Sequence, residues 1–149
     1  MSLEKEISKG IMDAMKAKDA VRLSALRNIK KFIIEAKTSG ASIEELPDAD
    51  VVKIISRLVR QGKDSAQLYR SQSRPDLAGE EEGQVAVMEE FLPKRMTDGE
   101  LTEAVKRIIA ETGASSLRGM GQVMGVASKT LAGKADGKDI AAKVKELLS

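Results

Sequence analysis

Apolar residues recur every three or four positions along most of the chain, the spacing that places side chains on one face of an α-helix. The first run predicts a helix that ends near the turn at Lys18 and Asp19. Its apolar residues are Leu3, Ile7, Ile11 and Met15. A second helix is predicted from Val21 to about Lys37, with Gly40 placed to stop it. Its predicted inner face consists of Ala25, Ile29, Ile33 and Ala36.

Two more helices are predicted before Pro93. Asp48 and Asp50 suit the start of a long third helix, because acidic side chains favour a helix N-terminus. The predicted buried side of this helix comprises Val51, Val52, Ile55, Leu58, Val59 and Tyr69. Pro75 is placed to open a fourth helix. Pro93 ends the pattern, because proline lacks an amide donor and disfavours a helical conformation at the preceding residue.

The segment from Phe91 to Glu100 is the predicted boundary between two domains. Within it, Thr97 and Glu100 have the spacing of a capping box, which predicts the start of a helix. Gly113 is placed to end that helix, since glycine readily adopts the left-handed conformation found after many helices.

Two shorter helices are predicted after this one, from Leu117 to Leu131 and beyond Asp136. No run of residues alternates with the period of two that a half-buried strand shows. The predicted fold is therefore all-α and multihelical. It has an N-terminal helical domain, residues 1–93, and a C-terminal three-helix module, residues 94–149.

Composition excludes several kinds of chemistry. The chain contains neither Cys nor His, so disulfides, thiolate ligands, His general bases and nearly every zinc site are excluded. No metal and no other cofactor is therefore expected. The N-terminal segment has charges among its apolar residues, unlike a signal peptide, and no stretch approaches the about 20 apolar residues of a membrane span. A cytoplasmic location is expected.

Basic residues form a stripe along the predicted third helix. They fall within an arc of roughly 140° and are Lys53, Arg57, Arg60, Lys63, Arg70 and Arg74. Acidic residues gather after Pro75, so one positive and one negative surface are expected. Residues 94–149 carry ten basic and seven acidic side chains. A stripe of this kind can be a solvated face, but such faces usually mix signs. An acidic partner, either an RNA backbone or a protein surface, is the alternative.

Aromatic residues are scarce, with two Phe, one Tyr and no Trp. Proteins that read single strands stack bases on aromatic rings. If RNA is the partner, we therefore expect contact through phosphates and shape, without base specificity.

Glycine is concentrated in the predicted C-terminal module. Gly inside a helix costs about 1 kcal/mol relative to Ala, so Gly121 and Gly125 need a reason. They allow tight packing within the module, form a smooth face for a partner, or do both. Ser115 or Ser116 is expected to cap the short helix beside Arg118, an arrangement that suits an anion. The spacing matches neither a P-loop nor a dinucleotide-binding motif.

Four short motifs lie in the second half of the chain. They are EFLP at Glu90 to Pro93, GASS at Gly113 to Ser116, MGQVMG at Met120 to Gly125, and LAGKADGK at Leu131 to Lys138. Together they resemble the YqeY, or GatB/YqeY, family. Its members are small relatives of the tail domain of the B subunit of tRNA-dependent amidotransferase, which helps to hold tRNA. The resemblance draws attention to the motif residues Gly113, Ser115, Ser116, Gly121, Gly125, Gly133, Asp136 and Gly137.

The leading hypothesis is a non-catalytic accessory module that binds tRNA or a tRNA-handling enzyme, as the resemblance implies. The residues predicted to contact nucleic acid are Lys53, Arg57, Arg60, Lys63, Arg70, Arg74, Arg118, Lys129, Lys134 and Lys138. An alternative is a protein-interaction adaptor for an acidic partner. Carbon–nitrogen ligase activity with glutamine as amido-N-donor is suggested by the family name alone. No nucleotide loop, amidase Ser-Ser-Lys signature or nucleophilic Cys is present, so no catalytic residue is predicted.

Overall fold

The computed structural model describes residues 1–39 and 44–149. Within these residues the chain forms seven α-helices and one short 3₁₀ turn, and contains no strand. The predicted all-α fold is confirmed. The chain divides into two compact units, Met1–Leu92 (unit 1) and Pro93–Ser149 (unit 2).

Unit 1 contains four helices, whose ends follow local capping rules. They are α1 (Leu3–Ala17), α2 (Ala20–Thr38), α3 (Asp48–Ser71) and α4 (Pro75–Glu89). The side chains of Ser2 and Asp19 accept backbone hydrogen bonds at the starts of α1 and α2. Pro75 occupies the first turn of α4, where a missing amide hydrogen costs little. Gly40, the predicted stop of the second helix, lies outside the described residues.

The core of unit 1 is aliphatic and is centred on α2 and α3. Its fully buried larger side chains are Ile7, Leu26, Ile29, Ile33, Val51 and Ile55. Two positions differ from the predicted pattern. Met15 is 53% exposed, and Ala14 is buried instead. Tyr69 is only half-buried, because the last turns of α3 face α4 through Gly62 and Ala66.

Close approach of α3 and α4 explains the small residues at this contact. A Cβ atom at Gly62 would lie 2.5 Å from Cγ2 of Val85 on α4. Val85 is buried and its branched side chain is stiff, so a larger residue at this position would force the helices apart. Gly62 therefore fixes how closely α4 packs on α3.

One buried carboxylate connects three segments of unit 1. Glu4 accepts a hydrogen bond from Nζ of Lys37 on α2 at 2.7 Å and another from the backbone amide of Leu46 at 3.2 Å. Burial alone would raise the pKa of Glu4. The hydrogen bonds from Lys37 and Leu46 and the positive charges of Lys37 and Lys30 outweigh burial, so the pKa lies below its ordinary value.

Unit 2 is a three-helix module. Its helices are α5 (Asp98–Thr112), α6 (Met120–Thr130) and α7 (Gly137–Leu148), and the 3₁₀ turn covers Leu117–Gly119. The predicted capping box of Thr97 and Glu100 is present, and Gly113 ends α5 with φ of 73°. The core is built from residues of all three helices, among them Val105, Ile108, Val123, Ala127, Ile140 and Val144.

The helix predicted from Leu117 to Leu131 is shorter in the structure. Leu117–Gly119 forms the 3₁₀ turn, and the α-helix begins only at Met120. A Cβ atom at Gly119 would lie 2.6 Å from the Cβ of Ala114. This tight contact between the turn and the end of α5 accounts for both the glycine and the later helix start.

Candidate nucleic-acid interface

The C-terminal half of the basic stripe on α3 lies beside acidic residues of α4. Arg70 forms two hydrogen bonds with the carboxylate of Glu82, at 2.8 and 2.9 Å. Lys63 lies 3.8 Å from Glu89. Arg74, predicted to lie on the third helix, lies outside α3, directly before α4, and pairs with Asp76 two residues later at 3.1 Å. The expected separation into one positive and one negative surface is therefore wrong for this half, because α4 folds back along α3 and places its carboxylates next to the stripe.

These ion pairs are exposed on both sides. More than half of the side-chain surface of Lys63, Arg70 and Arg74 remains accessible. Exposed pairs contribute about 0 to 1 kcal/mol to stability. Their larger effect is to reduce the positive potential at this end of α3.

The N-terminal half of the stripe remains positive. Lys53, Arg57 and Arg60 are exposed, and none of them has an ion-pair partner among residues 1–39 and 44–149. The guanidinium of Arg57 lies over the ring of Phe32 on α2, 5.4 Å from its centroid, and Nζ of Lys31 lies at the same distance. Phe32 is half-buried, so the ring holds two cations at the surface.

A polar cleft lies one helical turn from this ring. It has a volume of about 160 Å³ and lies among α2, α3 and α4. Its polar lining consists of Asn28, Gln61, Ser65, Glu81 and Gln84, and its apolar lining of Leu58, Gly62, Val85 and Met88. These polar residues are not among those predicted from the sequence. The only available signal was their placement on faces that also carry core residues, and their convergence depends on how three helices pack.

In unit 2, the outer face of α6 is unusually smooth. Gly121 and Gly125 are exposed, and a Cβ atom at either position would meet nothing within 4 Å. The buried residues of α6, Val123 and Ala127, lie on the opposite face. The interpretation that these two glycines allow tight packing within the module is therefore wrong, whereas Gly119 does have that role.

Basic residues lie on α6 and in the elements before and after it. Residues four apart are neighbours on a helix, so Lys129 continues the row that begins at Gly121 and Gly125. Arg118 lies in the preceding 3₁₀ turn, and Lys138 lies in the first turn of α7. All three cations are exposed and Lys134 is half-buried. None of the four has an ion-pair partner in the part of the chain that the structure describes.

The LAGKADGK motif forms the turn between α6 and α7. Gly133 adopts a left-handed conformation with φ of 76°. The carbonyl of Lys134 accepts a 2.8 Å hydrogen bond from the amide of Met96, and Asp136 pairs with Arg95 at 3.1 Å. Gly137 is the first residue of α7. The motif therefore holds the segment that precedes α5 against the α6–α7 turn.

The GASS motif ends α5 and leads into the 3₁₀ turn. Gly113 makes the left-handed turn, and Ser115 and Ser116 are exposed. The expected serine cap is wrong for Ser116, which stands at the cap position without making a side-chain capping hydrogen bond. The carbonyl of Ser116 instead accepts a 3.0 Å hydrogen bond from the amide of Gly119, which closes the 3₁₀ turn.

Across the described ranges, no group of three or more Asp and Glu side chains gathers closely enough to hold a metal ion. No described helix is both long enough and apolar enough to cross a bilayer.

Comparisons with known proteins place these features in a family. The profile of the Yqey-like protein family matches residues 4–148. An uncharacterized protein of Schizosaccharomyces pombe is 28% identical over 98 residues, which cover 65% of this chain and 77% of that protein.

Two fungal proteins named altered inheritance of mitochondria protein 41, mitochondrial, are also similar. The one from Pyrenophora tritici-repentis is 26% identical over 141 residues, 93% of this chain and 76% of that protein. The one from Vanderwaltozyma polyspora is 31% identical over 86 residues, 58% of this chain and 46% of that protein. Because the family profile matches nearly the whole chain, the chain belongs to the Yqey-like protein family.

Proposed function

We propose that this protein is a non-catalytic accessory module that binds tRNA through unit 2. The observation that carries the proposal is the outer face of α6, where the open row of Gly121 and Gly125 leads to Lys129. A cytoplasmic location belongs to the same proposal, although two relatives carry names that place them in mitochondria.

The glycines support an external partner because nothing inside unit 2 uses the space they leave. Gly125 lies in the middle of α6 and costs about 1 kcal/mol relative to Ala. No described side chain lies where its Cβ would be. A sugar–phosphate backbone can approach such a helix more closely than it could approach one with side chains.

Charge supports a polyanion as that partner. Lys129 on α6, Arg118 in the turn before it and Lys138 at the start of α7 are exposed and have no acidic partner within the described chain. Each lysine or arginine that neutralises a phosphate releases counterions, which gives affinity without base recognition. The resemblance to the amidotransferase tail domain makes tRNA the first candidate.

The protein is proposed to be non-catalytic for chemical reasons. Without Cys or His, the chain lacks the usual nucleophile and base pairs. Transamidation also needs an ammonia source and a nucleotide site, and the sequence contains no nucleotide-binding loop.

Fluorescence anisotropy with bulk tRNA, measured over a range of salt concentrations, tests the proposal. Three variants each remove three positive charges: a tail variant (R118A/K129A/K138A), a stripe variant (K53A/R57A/R60A) and a control on α1 (K5A/K9A/K16A). The slope of log affinity against log salt becomes less steep by about 0.7 to 0.9 for each lost phosphate contact. We expect the salt dependence of the tail variant to be less steep than that of the wild-type protein, by about 2 log units of affinity per log unit of salt. The control should keep the wild-type slope.

The other outcomes separate the alternatives. An equal decrease in the steepness of the salt slope in all three variants would indicate non-specific attraction to the polyanion. A less steep slope in the stripe variant alone would indicate that the main tRNA contact lies on α3. If the wild-type protein binds no tRNA at low salt, the RNA proposal fails. The adaptor alternative then becomes the better one, and the exposed Leu117 and Val126 beside the glycine row favour it.

A further inference from the structure

We propose that the cleft among α2, α3 and α4 binds one unpaired nucleobase of an RNA, while the cations around Phe32 hold the adjoining phosphates. This inference rests on the proposed function only in taking RNA as the ligand. It assigns unit 1 a recognition role, whereas the α6 face would supply contact without base specificity.

The volume of the cleft fits a single ring. A cavity of about 150 Å³ accommodates a benzene molecule, and this cleft measures about 160 Å³. Sites for whole drug-sized ligands are about 300 to 1,000 Å³. The cleft therefore has room for a pyrimidine or for the six-membered ring of a purine, but not for a nucleotide cofactor.

The lining of the cleft combines an apolar floor with a polar rim. Leu58, Val85 and Met88 are buried core residues, and at Gly62, where a Cβ atom would lie 2.5 Å from Cγ2 of Val85, the backbone itself forms part of the lining. Around this apolar floor lie the polar side chains of Asn28, Gln61, Ser65, Glu81 and Gln84. None of these five makes a side-chain hydrogen bond to another described residue, so their donors and acceptors are open to a ligand.

The chemistry of the rim suits the edge of a base. Asn and Gln amides present a donor beside an acceptor and pair with adenine through two hydrogen bonds, and a carboxylate accepts from the exocyclic amine of cytosine. Glu81 is the one charged residue of the lining. Its carboxylate would repel a phosphate but accept from an amine. Adenine and cytosine should therefore bind better than uracil, which has no exocyclic amine.

The position of the cleft suits one nucleotide of a strand. Asn28 lies one turn before Phe32 on α2, and Gln61 lies one turn after Arg57 on α3. Because residues four apart are about 5 to 6 Å apart on a helix, a base in the cleft would have its phosphate near the guanidinium of Arg57. Lys53 and Arg60 occupy the same arc of α3 and could hold neighbouring phosphates.

Short oligoribonucleotides test this assignment. Labelled octamers of A, C and U, together with an abasic octamer of the same charge, are compared by anisotropy at one salt concentration. The wild-type protein should bind the A and C octamers about tenfold more tightly than the abasic octamer, since one bidentate contact discriminates by roughly fivefold to more than a hundredfold. The affinity of the U octamer should exceed that of the abasic octamer by a smaller factor.

The variant Q61A/Q84A should bind the A and C octamers no better than the abasic one, while its salt slope stays at the wild-type value. The variant E81Q should lose the preference for A and C over U. The matched control is Q67A, which removes an exposed amide of α3 outside the cleft. Circular dichroism checks that every variant keeps its helical content.

Equal wild-type binding of abasic and A octamers would overturn the cleft assignment and leave the proposed function intact. A titration of isotope-labelled protein with free adenosine and cytidine adds a test that needs no phosphate contact. Shifts in the side-chain amide signals of Asn28, Gln61 and Gln84 would support the cleft assignment even if tRNA binding fails. Shifts caused by spermidine or lysine amide but not by nucleosides would overturn it in favour of a cationic ligand at Glu81.

Discussion

Glu4 shows how a single buried charge can organise a small helical unit. Its carboxylate takes a hydrogen bond from Lys37 and another from the backbone of Leu46. It thereby joins α1 to α2 and to the residues that precede α3. A buried carboxylate without partners costs far more than one with them, so the three segments depend on each other.

Lys37→Met should lower the free energy of unfolding at neutral pH by about 1 to 3 kcal/mol, because it leaves the carboxylate of Glu4 buried without its cation. In the wild-type protein the pKa of Glu4 is lowered, so its stabilisation is present above the unfolded value of 4.5 and is lost as the pH falls through the folded pKa. Without Lys37, burial should raise that pKa.

Urea denaturation followed by circular dichroism measures this effect. The destabilisation should shrink as the pH is lowered below the unfolded value and Glu4 becomes protonated. Lys9→Met, which removes an exposed charge of α1, serves as the control and should have little effect at either pH. If Lys37→Met lowers the free energy of unfolding equally at neutral pH and below the unfolded pKa of Glu4, the role assigned to Glu4 is contradicted.

At the scale of single helices, the two basic faces differ in how their charges are used. Two stripe residues on α3, Lys63 and Arg70, and Arg74 beyond its end pair with carboxylates of α4. On α6 and the turn after it, the named cations have no such partners within the described residues. The fold of unit 1 weakens one half of its positive face, while unit 2 keeps its own.

Replacing both exposed glycines of α6, in G121A/G125A, should stabilise the protein and weaken its function. The gain should be about 1 kcal/mol, mostly from Gly125 in the helix interior, because Ala is the better helix former and its methyl group meets nothing. If tRNA approaches this face closely, the two methyl groups should weaken binding by about tenfold.

Thermal unfolding and tRNA anisotropy are measured on the same samples. Gly79→Ala is a matched control in α4, since this glycine is also helical and a Cβ there meets nothing within 4 Å. It should stabilise the protein without changing tRNA binding. Unchanged binding in G121A/G125A would show that the glycine row is not a contact surface.

At the scale of the whole molecule, the chain forms two compact units with separate cores. The division between the units falls after Leu92, inside the segment from Phe91 to Glu100. Arg95 and Met96 are tied to the α6–α7 turn of unit 2 by an ion pair and a backbone hydrogen bond. Lys94 is exposed beside the boundary.

Limited digestion with trypsin should therefore cut first after Lys94, because loops with few tertiary contacts admit proteases most readily. Mass spectrometry should detect two stable fragments, residues 1–94 and 95–149. The variant K94Q should slow this first cut without changing the helical content. A first cut inside α3, between Val51 and Leu68, would contradict the division into two units.

The sequence by itself determined the helices, most of their ends and the family. Helical periodicity, the Thr97 and Glu100 capping box, Pro75 and Gly113 are local signals, because they depend on contacts within a few residues. Only the tertiary structure decided what the exposed faces do. It placed α4 carboxylates beside half of the stripe, left Gly121 and Gly125 open, and gathered the amides of the cleft. These outcomes depend on which helices meet and how closely, and such contacts join residues far apart in the chain.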